Sequence, residues 1–107
     1  MSFPSEGLNL WWQLNDGIGG HVFLGSPQLA GLAEEMLAQG MAWRGSDRGI
    51  GIPLSRLTPG QAVGVAEIDE ALAVASPTPQ VLSDPALWQD WLDFLEGAAA
   101  NGGIVAR

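Results

Sequence analysis

Apolar positions along the chain keep a period of two at first and later shift to helical spacing. Leu8, Leu10, Trp12 and Leu14 alternate with Asn9, Trp11, Gln13 and Asn15, the period-two pattern of a half-buried strand. Asn15-Asp16-Gly17 marks a reversal and Gly19-Gly20 loosens it, so a second strand is expected at about 21–24, completing a β-hairpin. Trp11 is the odd residue of this pattern, an aromatic ring on the otherwise polar face.

Three helices are then expected, each opening on the same signal: Ser26-Pro27, Thr58-Pro59 and Asp84-Pro85. In each pair a capping side chain can accept from an orphan backbone N–H, and proline occupies the first helical position, where its missing donor costs nothing. Thr58 with Gln61 also has capping-box spacing. The first helix, about 27–39, puts Leu29, Leu32, Ala33, Met36 and Leu37 on one stripe and stops at Gly40. The second, about 59–75, has an apolar edge of Val65, Ile68, Leu72 and Ala75, weakened by Gly60 and Gly64. The third, about 85–100, has the strongest periodicity: Leu87, Trp88, Trp91, Leu92, Phe94, Leu95, Ala98 and Ala99 form a broad face.

Asn101-Gly102-Gly103 ends the third helix, and Ile104-Val105-Ala106 suits a closing strand. Between the first two helices, 41–57 reads as irregular. Ile50-Gly51-Ile52 offers a short strand there, which Pro53 confines to an edge. Ser76-Pro77-Thr78-Pro79 is a stiff turn between the last two helices. The expected fold is therefore α+β: a small two-layer domain in which the hairpin and the closing strand pack against three helices.

At 107 residues, with 47% apolar residues and five tryptophans, the chain has the length of one domain and the material for a core without staples. It has no cysteine, which excludes disulfides and thiolate metal sites. No apolar run approaches the ~20 residues of a membrane span, and the first residues lack a basic start and long apolar run. A cytoplasmic location is the expectation.

Charge narrows the functional classes. Twelve acids face four arginines and no lysine, a net charge of −8. Binding to phosphate backbones or anionic lipid needs clustered cations, so neither nucleic acid nor a membrane surface is an expected partner. Asp90, Asp93 and Glu96 are expected on the outward stripe of the third helix, and Glu34 and Glu35 on that of the first. Arg44, Arg48 and Arg56 crowd into the irregular segment.

Catalytic chemistry has no comparable support. His21 is the only histidine, and no G-x-S-x-G or similar motif supplies a nucleophile for it. Glu67, Asp69 and Glu70 are dense in sequence, but one helix cannot aim all three at one cation. Arg48-Gly49-Ile50-Gly51 lacks both the spacing and the lysine of a phosphate loop. No metal or cofactor is expected, and the chain reads as a non-enzyme.

The expectation is thus a binding protein whose acidic stripes engage a basic protein, with Trp11, Arg44 and Arg48 as further candidate contacts. Bacterial immunity proteins, which neutralise a toxin or enzyme, share this profile of small size, acidity and missing catalytic residues, although no motif ties this chain to them. Two alternatives stand beside it. One is a small-molecule binder or small enzyme with a tryptophan-lined pocket near His21 and Arg44. The other is a structural homodimer joined through a sheet edge or the Trp11 face.

Overall fold

The alternating stretch forms the expected hairpin. In the computed structural model, which describes residues 7–14, 20–44 and 51–106, strands β1 (Gly7–Trp12) and β2 (His21–Gly25) pair antiparallel, with Leu10 opposite Val22 and Trp11 opposite His21. Leu8, Leu10 and Leu24 are buried on one face. Asn9, Trp11, His21 and Phe23 take the other, as side-chain alternation requires. The turn expected at 15–17 lies outside the described residues. Leu14, expected to continue the inward row, falls beyond β1 and is 80% exposed.

Helix α1 (Ser26–Gln39) starts one residue before its expected position. Gly25, not Ser26, is its N-cap, and the Gly25 N–H donates to the Gln28 side chain at 2.8 Å. Beyond α1, β3 (Ala42–Trp43) and β4 (Ile52–Pro53) form a separate parallel pair. The short strand expected at 50–52 thus begins only at Ile52, with Pro53 inside it, and both strands of so small a ribbon are edges.

The second helix needs a larger correction. Pro59-Gly60 form the centre of a β-turn, closed by the Gln61 N–H donating to Thr58 O at 3.1 Å. Gly60 has φ +88°, the left-handed geometry that a proline-glycine turn demands at its third position. The proline that looked like a helix start serves this turn instead. A short strand, β5 (Ala62–Val63), follows, and α2 (Val65–Val74) begins only there. Gly64 is its N-cap, with its N–H donating to Glu67 Oε1 at 2.9 Å.

Helix α3 (Pro85–Ala100) and strand β6 (Ile104–Ala106) match their expected bounds. Asp84 caps α3 by accepting from the Leu87 N–H at 3.1 Å. Strand β6 lies between β1 and β5, so the sheet runs β2-β1-β6-β5 and is antiparallel throughout. Trp88, Trp91, Leu92, Phe94, Leu95 and Ala98 are buried beneath it with Leu32, Met36 and Ile68. The architecture is the expected α+β arrangement, with helices packed on the inward face of the sheet.

Burial of large indoles requires partners for their N–H groups. Trp88 Nε1 donates to Ser76 O at 2.8 Å, Trp91 Nε1 to Met36 Sδ at 3.3 Å, and Trp12 Nε1 to Phe94 O at 3.1 Å. Trp12 also lies flush against Gly97, where a Cβ would sit 2.0 Å from the ring. These contacts fix the rotation of α3 and hence which of its residues face outward. No helix among the described residues is long and apolar enough to cross a membrane.

Candidate functional site

With Trp88, Trp91, Leu92 and Leu95 turned inward, the three-residue spacing of Asp90, Asp93 and Glu96 carries all three to the exposed side of α3. Asp93 accepts from Gln89 Nε2 at 3.0 Å. Among the described residues no cation pairs with any of the three. The two ion pairs present there join Arg44 to Glu34 and Arg56 to Glu67.

Asp90 and Asp93 do not stand on a bare helix. Together with Trp12, His21, Val22 and Phe94 they line a shallow groove where α3 passes beside the start of β2. Its floor is apolar and its two carboxylates have no cation among the described residues, an arrangement suited to the stem and head of a cationic side chain. On the outer face of the sheet Trp11 stacks on His21, ring centroids 4.0 Å apart and planes 28° from parallel. His21 Nε2 donates to Asn9 Oδ1 at 2.8 Å, which orients the imidazole. Trp11 is half-buried rather than fully presented.

Glu35, expected on an outward stripe, is fully buried. Its carboxylate accepts from the backbone N–H groups of Gln80, Val81 and Leu82 at 2.7, 2.7 and 2.8 Å, and from Gln39 Nε2 at 2.8 Å. Burial alone would raise its pKa. The donors of Gln80, Leu82 and Val81, with Gln39, outweigh that and lower it to about 2 from 4.5. Glu35 is therefore an internal strut, not part of a surface. Gln39 extends the network, since its Oε1 accepts from the Ser76 N–H at 2.6 Å and the Ser76 carbonyl accepts from Trp88.

The remaining candidates are dispersed. Glu34 and Arg44 neutralise one another at an exposed position, and Arg48 lies outside the described residues. Arg44 borders a hollow with Leu29, Ala33, Leu54 and Leu57, which shares no residue with the groove containing His21. The expected merging of α1 and α3 acids into one face thus loses Glu35 to the interior and Glu34 to an ion pair. What sequence reasoning missed is the groove itself. Trp12, Val22 and Phe94 are apolar residues in apolar rows, and only the docking of α3 against the hairpin sets acids beside them.

Comparison of the chain with protein-family models, curated proteins and solved structures yields no match.

Proposed function

We propose that the chain is a non-enzymatic protein-binding module that engages a basic partner through Asp90, Asp93 and Glu96, where α3 meets β2. The pairing pattern of the acids carries this reading. Glu34 and Glu67 have arginine partners, and Glu35 is spent inside. Of the acids left exposed without a cation among the described residues, which include Asp69 and Glu70, Asp90 and Asp93 border the groove. Unpaired surface charge contributes little to stability, but it speeds encounter with an oppositely charged protein. An immunity or inhibitor protein that neutralises a basic toxin or enzyme is the concrete instance we favour.

A small-molecule pocket near His21 and Arg44 has less behind it, because those residues border different hollows. The test compares wild type with the triple variant Asp90→Asn, Asp93→Asn, Glu96→Gln as immobilised baits for proteins of the native host. A basic protein retained by wild type and lost from the variant is the expected result, with an association rate that falls as salt rises past ~0.1 M, where the screening length is ~10 Å. Equal retention and equal rates on both baits would remove the acidic stripe from consideration.

A further inference from the structure

Among the described residues, strand β2 is an edge of the sheet. Strand β1 pairs with it on one side, and no strand lies on the other among the described residues. The Trp12 N–H donates to Gly20 O at 2.8 Å, which sets the parity of the ladder. Leu10–Val22 and Leu8–Leu24 are the hydrogen-bonded pairs; Trp11–His21 and Asn9–Phe23 are the others. The backbone N–H and C=O groups of His21 and Phe23 therefore point away from β1. Among the described residues nothing meets them.

Natural sheets blunt such an edge with lysine, proline, a bulge or an inward charge. The sequence His-Val-Phe-Leu-Gly of β2 has none of these within it, and Phe23 at its centre is 51% exposed. Asp90 and Asp93 line the groove that this strand borders, on its helix side. We propose that β2 receives an extended segment of a basic partner as an added strand, hydrogen-bonded to the main chain of His21 and Phe23. Alternation then divides the segment's side chains: cationic ones on the helix side reach Asp90 and Asp93, and apolar ones on the open face lie beside Phe23.

This mode of docking rests on the reading above, that the partner is basic, and adds how it is held. Charge also selects the occupant. A second copy would bring another net −8 and set its own Asp90 and Asp93 beside the same seam, so an identical chain is opposed where a cationic strand is attracted.

The test uses the full chain and short synthetic peptides alternating arginine with valine, leucine, threonine or phenylalanine. Each is compared with a twin that is N-methylated on its pairing edge and so keeps its side chains but loses its ladder donors. Amide exchange at His21 and Phe23 is read alongside affinity. The expected result is that at least one peptide binds, slows exchange at Phe23 about tenfold, and binds about tenfold more weakly when N-methylated, the scale of one or two hydrogen bonds. Phe23→Pro removes an outward donor that β1 does not use, a substitution that edge strands tolerate, and it should weaken the same peptide.

Binding that ignores N-methylation, or leaves Phe23 exchange unchanged, overturns strand addition. If that binding still falls in Asp90→Asn/Asp93→Asn, the acidic-surface reading survives the loss. Binding that depends on the ladder but not on those aspartates overturns the charge selection and the acidic-surface reading together. No binding by any peptide overturns strand addition. Protection of Phe23 in the free chain that grows with concentration gives the edge to a second copy and overturns the proposed occupant.

Discussion

The backbone N–H of Val81 donates to Glu35 Oε1 at 2.7 Å, so a carboxylate on α1 holds the segment that leads from α2 into α3. Leu82 donates to the same oxygen and Gln80 to the other. Two prolines, Pro77 and Pro79, keep this segment from continuing α2, and three consecutive amides turn toward one buried group. Replacing Glu35 by glutamine removes the charge and points an N–H₂ at donors. A loss of about 2–3 kcal/mol is expected, read from the urea midpoint. Glu35→Ala should cost more, because all three amides then lose their acceptor.

Acid should weaken this strut in a defined window. Glu35 is held at about 2 in the fold against an ordinary 4.5. A carboxyl lowered by folding contributes its full stability above the unfolded value and loses it as pH falls toward the folded one. Unfolding midpoints measured between about pH 5 and about pH 2 should therefore fall more steeply for wild type than for Glu35→Gln. Parallel curves would mean that Glu35 is not the group responsible.

Trp91 is 2% exposed, stacks on Phe94 with centroids 5.9 Å apart, and donates to Met36. Trp91→Ala should cost about 3–5 kcal/mol, a large part of the ~5–15 kcal/mol that holds an ordinary domain together. Calorimetry should show a markedly lower melting temperature or no transition. An unchanged melting temperature would show the helix to be rotated from the orientation described.

Gly97 tests the seat of α3 against the hairpin. A Cβ there would meet the Trp12 ring at 2.0 Å, and the ring is tied by its bond to Phe94 O. Gly97→Ala would gain about 1 kcal/mol of helix propensity on an exposed helix. Here it should destabilise instead, by about 1–3 kcal/mol from overpacking. The urea midpoint of Gly97→Ala beside that of wild type should read this loss, and a raised midpoint would show that the Trp12 ring gives way.

How far the sequence reveals the fold depends on how local each signal is. Alternation at Leu8 and Leu10 and the wide apolar face from Trp88 to Ala98 are local, and both elements are found where the spacing puts them. Thr58-Pro59 is ambiguous, because a capping residue followed by proline begins a helix or a turn equally well, and Gly60 decides for the turn. Glu35 was illegible: three residues after Leu32, it sits on the flank of the apolar stripe, and the amides that claim it come 45 to 47 positions later. The groove at Asp90 and Asp93 was half legible. Their outward direction follows from spacing, but their neighbours Trp12 and Val22 come from the far end of the chain.

The place of β6 in the sheet has a consequence for how the molecule is made. Its neighbours β1 and β5 are linked to it, not to each other, so a nascent chain that has reached only α3 holds two sheet fragments with a missing middle. Until Ile104–Ala106 leave the ribosome, Leu10 and Val63 lack the strand that stands between them. Closure must also span a loop of nearly the whole chain, from Leu10 to Ala106, and contacts of such sequence separation slow folding. Synthesis at about 5–20 residues per second leaves the hairpin exposed for seconds, and that interval is when a chaperone or a premature partner would find it.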